Sequence, residues 1–283
     1  MPIADLDDAK VAYEERGKGD PIILLHGWNS SRKQWLLNLK TLAPHFRAIA
    51  LDLPGFGDSE ENEFPYTLDG MTSFLEAFRR ALHLPAFHLV GHSLGGCISI
   101  RYTSEYPELV RKLVLVSTPT RTVSMGLRAL MPGAECFISH TYRYRSEGML
   151  KWIFYRGLYQ PEYQDLDFVR VNVKAASHIT KRALSESTRL VRKMDLADDL
   201  RAIVQPTLVV FGDKDKSVNP RETVRQRGLL ANPYVTVLTS CAHCPPFERP
   251  DLFNTVLLEF LQSEGLMEQK GQDPSPAGEI SPG

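Results

Sequence analysis

The sequence predicts an α/β fold: a mostly parallel central sheet flanked by helices. Three observations carry that expectation. Short apolar runs alternate with amphipathic stretches, the pattern of strands joined through crossover helices. The alternation breaks once, over residues 119–200, and then resumes. Finally, Gly91-His92-Ser93-Leu94-Gly95 sits where an apolar run, Phe87-His88-Leu89-Val90, gives way to a helical stretch beginning Gly96-Cys97-Ile98.

The elements follow in order. Residues 9–16 and 21–26 read as opening strands, and Arg47-Ala48-Ile49-Ala50-Leu51 as another. A helix is expected over 67–83, then strand 87–91, helix 94–106 and strand 112–117. Residues 119–200 lack strand signals and read as helical, which fits a cap inserted after strand six. Strand signals return at 206–211 and at Val235–Ser240, and a helix near 247–262 closes the fold. Residues 1–118 and 201–264 therefore form one core and 119–200 the cap. Residues 265–283, rich in Gly, Pro, Ser and charge, are expected to be a disordered tail.

The pentapeptide is G-x-S-x-G at a strand-to-helix junction. That context puts a serine on a sharp turn with its hydroxyl clear of the sheet. Strand and helix approach so closely there that a Cβ two residues either side of the serine would clash. The helix N-terminus beyond Ser93 offers free N–H groups to a developing negative charge. A serine hydroxyl still needs a base to take its proton and a carboxylate to orient that base. Two C-terminal segments can supply them. Leu208-Val209-Val210-Phe211 runs into Gly212-Asp213-Lys214-Asp215, and the strand 235–240 runs into Cys241-Ala242-His243-Cys244. His243 thus lies just past a strand's C-terminal end, where open α/β sheets gather their functional loops. Residues Asp213 and Asp215 are both candidate acids.

Taken together, these motifs resemble the α/β-hydrolase fold family, in its branch of lidded serine esterases and C–C bond hydrolases. Leu24-Leu25-His26-Gly27-Trp28 resembles the family's H-G segment. Asp52-Leu53-Pro54-Gly55-Phe56-Gly57-Asp58-Ser59 resembles its D-x-P-G-x-G-x-S loop. The elbow at Ser93 and the Asp215/His243 pair follow in the family's order, over residues 22 to 260. The resemblance implies Ser93 as nucleophile, His243 as general base and then acid, and Asp215 as its orienting carboxylate. It also implies an oxyanion hole made by the backbone N–H groups of Trp28 and Leu94. The family's G-x-x-D spacing selects Asp215 over Asp213. No cofactor or metal is implied. Many relatives carry Gly immediately before the histidine where this chain has Ala242, a departure that matters only if that position needs a positive φ. His26 and His92 lie inside these motifs without being the family's base, and read as structural or pocket-lining.

Composition narrows the partners. The chain has 283 residues, 43% hydrophobic, with a net charge of -1. That is enough for one large α/β domain with an insertion, and gives no reason to expect nucleic acid. No apolar run approaches the roughly 18 residues that span a bilayer. The acidic N-terminal stretch lacks signal-peptide regions, so a cytoplasmic protein is expected. Cys241 and Cys244 flank His243, but a structural zinc site needs four ligands, usually in paired clusters, and no second C-x-x-C exists. Nine aromatic residues between Phe137 and Phe168 suggest an apolar cleft for an acyl or aryl group, or the cap's own core. An excess of basic residues over 119–195 suggests solvated helix faces, or a bias toward anionic substrates.

These readings point to a serine hydrolase that cleaves a carboxylic ester through an acyl-enzyme. Keeping the same triad, the bond could instead be a C–C bond of a ring-fission product or a thioester. Ser93 argues against haloalkane dehalogenase or epoxide hydrolase chemistry, because no aspartyl ester can form at a serine. A reading of another class is a non-catalytic ligand-binding sensor, since fold does not fix function. The partner in each case is a small molecule.

Overall fold

A computed structural model of the chain describes residues 2–6, 9–61, 63–121, 174 and 178–263. Eight strands form one sheet: β1 (Ile3–Leu6), β2 (Ala9–Arg16), β3 (Pro21–Leu25), β4 (Arg47–Leu51), β5 (Phe87–His92), β6 (Val110–Val116), β7 (Thr207–Gly212) and β8 (Pro233–Leu238). Their order across the sheet is β1-β2-β4-β3-β5-β6-β7-β8. Antiparallel pairing is confined to β1–β2 and β2–β4; from β4 to β8 every pair is parallel. The expected α/β-hydrolase architecture is therefore present.

The helices are α1 (Leu36–Leu42), α2 (Leu68–Ala81), α3 (Leu94–Glu105), α4 (Lys181–Lys193), α5 (Ala197–Ala202), α6 (Glu222–Leu229), α7 (Pro245–Glu248) and α8 (Pro250–Gln262). Side chains alternate across each strand, so a buried strand feeds two cores. Ile23, Leu25, Leu89, Leu113 and Phe211 point to the face covered by α2 and α3, where they meet Phe74, Phe78 and Ile98. Their neighbours Ile22, Leu24, Val90, Val114 and Val210 point to the other face, against Leu39 of α1 and Phe253 and Leu257 of α8. Such residues are almost wholly buried. At about 1.5–3 kcal/mol for each large side chain removed from water, they dominate the sheet's cohesion.

The element boundaries carry physical lessons. Instead of one closing helix over 247–262, there are two, broken at Arg249 (φ −136°, ψ 60°). Arg249 precedes Pro250, whose ring disfavours the helical region for the residue before it. The last strand ends at Leu238, before Ser240 takes a positive φ of 52°. Three elements lie outside the sequence expectation: β1, α1 and α6.

Most of the expected cap, and the aromatic-rich stretch 137–168 within it, lies outside the described residues, as does the tail 265–283. The junctions are described. Arg121 and Asp195 form an isolated antiparallel bridge, and Leu196 N donates to Thr120 O at 2.9 Å. Core helix α6 secures this junction. Thr120 Oγ1 donates to Glu222 Oε1 at 2.8 Å, and Arg225 Nη2 reaches Asp195 Oδ1 at 3.0 Å. Among the described residues no helix is long and apolar enough to cross a membrane.

Candidate active site

The C-terminal ends of β3, β5, β7 and β8 converge, and each contributes one loop. Ser93 follows β5 directly, with φ 51° and ψ −112°. For a non-glycine residue this is strained backbone, costing on the order of 1–3 kcal/mol. The flanking glycines make it possible. A Cβ on Gly91 would lie 2.4 Å from the Gly95 carbonyl oxygen, and one on Gly95 would lie 2.5 Å from that of Leu25. Neither glycine has a positive φ, so absence of bulk is their function here. Ser93 is half-buried, whereas His92 and Leu94 on either side are buried.

Leu94 is the first residue of α3, whose early N–H groups lack intrahelical partners. Trp28 stands three residues past β3, beside the elbow: a Cβ on Gly27 would come within 3.3 Å of Ser93 Cβ. His26 fixes this loop. Its Nε2 accepts from Leu53 N at 3.0 Å, so Nδ1 carries the proton and donates to Gly27 O at 2.8 Å. Burial holds its pKa below the ordinary histidine value.

The D-x-P-G-x-G-x-S loop turns out to be architecture. Asp52 Oδ1 accepts from Arg32 N at 2.6 Å, and Oδ2 from Asp58 N at 2.8 Å and from the Arg32 guanidinium. Ser59 Oγ donates to Asp52 O at 2.9 Å and accepts from Ala12 N at 3.0 Å. The Arg32–Asp52 pair is fully buried, so removing one partner strands a charge, typically at about 3–5 kcal/mol.

On the other side, Asp215 Oδ2 accepts from His243 Nδ1 at 2.8 Å. Asp215 is itself anchored: Oδ1 accepts from Ser217 N at 2.7 Å and Val218 N at 2.9 Å. Asp213 does something else, its Oδ1 accepting from Cys241 N at 3.2 Å. Burial opposes the charge on Asp215, but His243 and the two backbone N–H groups outweigh it and lower its pKa. Burial likewise works against a charged His243, yet the charge and hydrogen bond of Asp215, with Glu248 beyond, raise its pKa above the ordinary value. Ala242 is not among the residues with positive φ, so the Gly-to-Ala departure imposes no strain. Cys97, Cys241 and Cys244 are free buried thiols, and burial pushes Cys244 well up.

Two residues have a larger part than their motifs suggested. His92 Nε2 donates to the His243 carbonyl oxygen at 2.8 Å. Glu248 accepts from Ala242 N at 2.9 Å through Oε2 and from Cys244 N at 2.8 Å through Oε1. Glu248 stands five residues after His243 and drew no expectation from the sequence.

Residues 20–135 match the family model described as alpha/beta hydrolase fold. The chain is 28% identical over 262 residues to a 2-hydroxy-6-oxo-6-(2'-aminophenyl)hexa-2,4-dienoic acid hydrolase of Metapseudomonas resinovorans, covering 88% of this chain and 86% of that one. It is 29% identical over 262 residues to a pimeloyl-[acyl-carrier protein] methyl ester esterase of Nitrosospira multiformis, covering 87% and 96%. Its fold matches the crystal structure of the enol-lactonase from Burkholderia xenovorans with a TM-score of 0.82 at 20% identity, over 93% of this chain and all of that one. A parallel sheet with its loops gathered around Ser93, and likeness to named hydrolases over most of the chain, make this chain a hydrolytic enzyme with the α/β-hydrolase fold.

Proposed function

We propose that the chain is a serine hydrolase that cleaves carboxylic esters through Ser93, His243 and Asp215. His243 Nε2 takes the Ser93 proton as Oγ attacks the carbonyl carbon. The tetrahedral oxyanion is held by the N–H groups of Trp28 and Leu94, donors of a kind worth about 2.7–4 kcal/mol each. His243 then protonates the leaving alcohol, and the acyl-enzyme forms. Water, deprotonated by His243, attacks the ester carbon, and His243 returns that proton to Ser93 Oγ as the acid leaves. Asp215 stays ionised throughout and stabilises the imidazolium. In this reading the 119–200 cap walls the substrate pocket.

The observation that supports it most is the strained backbone of Ser93 at the mouth of α3. Strain is retained where the surrounding structure over-determines it, and it clusters at sites that use it. The test is hydrolysis of p-nitrophenyl esters from acetate to laurate by wild type and Ser93→Ala. Wild type should turn over, and Ser93→Ala should lose at least about 10⁴-fold in kcat. A folded wild type inert on every ester would move the reading to the second bond class. That class, C–C cleavage of a ring-fission product with the same triad, draws on the likeness to the dienoic acid hydrolase. Turnover of a 2-hydroxy-6-oxo-dienoate in place of esters would establish it.

A further inference from the structure

His92 is the first variable residue of the G-x-S-x-G pentapeptide, yet it links three of the four loops of the site. Through its own backbone it precedes Ser93. On one side its Nδ1 packs against Gly27 so closely that a Cβ there would lie 2.6 Å away. On the other its Nε2 donates to the His243 carbonyl, with the two rings 4.9 Å apart. It is therefore the physical spacer between the Trp28 loop, the elbow and the His243 loop.

The bond to His243 has a counterpart. The peptide unit joining His243 to Cys244 has its C=O held by His92 and its N–H held by Glu248 Oε1. The other Glu248 oxygen holds the Ala242 N–H, one residue before His243. Both gripping side chains are buried, His92 at 5% and Glu248 at 3% exposed, so neither bond competes with water. The two come from places far apart in the sequence, one from the end of β5 and one from α7. A carboxylate accepting two backbone N–H groups makes strong, charge-assisted bonds.

We propose that His92 and Glu248 are positioning residues that grip the His243–Cys244 peptide from opposite sides and so set where the base stands relative to Ser93. Asp215 orients the ring from its Nδ1 edge; the grip fixes the backbone that carries the ring. The role requires a neutral His92. Burial and the neighbouring His243 lower its pKa to about 3, so it keeps one N–H donor and adds no cation beside the base. The inference rests on the serine hydrolase reading, and the experiment separates the two.

The measurement compares wild type, His92→Met, His92→Gln, Glu248→Gln and the double variant His92→Met/Glu248→Gln. Three quantities are read for each: kcat and KM on the best p-nitrophenyl ester, the thermal midpoint, and the His243 ring nitrogen shifts by NMR across pH. Methionine fills the space without donating; glutamine can donate from its Nε2. A misplaced base should cost His92→Met and Glu248→Gln each about 10²-fold in kcat with KM little changed. Glutamine at position 92 should recover most of that loss. The double variant should fall well short of the product of the two losses, because both act on one peptide. Glu248→Gln should also lower the pH at which His243 titrates. The charged groups facing that ring are Asp215 and Glu248, and one of the two is then neutral.

The inference is overturned if wild type depends on Ser93 while both single variants keep kcat within about twofold, or if their losses multiply in full. It is also overturned if His92→Gln is no better than His92→Met in activity at equal folded fraction. A wild type that is inert on esters sinks the ester reading alone. The NMR readout then decides the grip: an unmoved His243 titration in Glu248→Gln, and His243 ring shifts unchanged in His92→Met, reject it.

Discussion

At the elbow around Ser93 no side chain caps the helix, and the backbone is fixed by the lack of side chains at Gly91 and Gly95. At the loop around His243 the reverse holds: Asp215, His92 and Glu248 reach in from other elements and hold ring and backbone by hydrogen bonds. Steric exclusion is a short-range rule, so the elbow is written in five consecutive residues. Polar bracing works at any sequence distance, so the second loop is written across the chain. One region tolerates no added bulk; the other tolerates no lost partner.

Mutations can break this contrast from either side. The largest effect is expected at the polar loop. Asp215→Asn should lower kcat by about 10⁴-fold, because the imidazole loses its oriented tautomer, while the fold persists. Asp213→Asn should leave kcat near wild type, and steady-state kinetics on the pair would decide between the two carboxylates. At the steric region Gly95→Ala should act on stability instead. Its Cβ would meet the Leu25 and His26 carbonyls, which cannot swing aside as side-chain ends do. Overpacking of this kind costs up to about 3 kcal/mol, readable as a lower urea midpoint.

A smaller effect is expected from pH. The base must be neutral, and the His243 pKa is raised, so kcat/KM should climb with pH through an apparent pKa above the ordinary value of about 6.5. Asp215 is shifted down and stays charged across that range. An acid limb at or below the ordinary value would show that the Asp215 pair does not govern turnover. The smallest effect belongs to Ala242→Gly. With no positive φ there to relieve, the glycine should lower stability by only about 0.4–1 kcal/mol, read as a small drop in the thermal midpoint.

The same contrast explains what could be read from the residues alone. The buried strands were legible because runs such as Ile22-Ile23-Leu24-Leu25 serve two cores at once. The sharp turn at Ser93 and the helix start at Leu94 were legible because the G-x-S-x-G motif surrounds them. Strand β1 was not: it has four residues, only Ala4 and Leu6 are buried, and it exists by pairing with β2 at the sheet edge. Helices α1 and α6 are short and were lost between stronger signals. Choosing Asp215 over Asp213 took a family spacing, because two acidic residues two apart look alike until one meets His243. The part of His92 escaped notice for a related reason: its partner lies 151 positions away.

The bridge between Arg121 and Asp195 has a consequence for how such a chain can vary in length. Because Thr120, Glu222 and Arg225 pin the chain at Asp195, and Thr180 N, with Ala183, Leu184 and Val191 of α4, already rejoins the core beside Gly55, much of the cost of closing what lies between is met by the core. Closure entropy grows only slowly with length. A change of length between residues 121 and 178 therefore costs little in closure, and the sheet can keep its form across generations while that stretch varies.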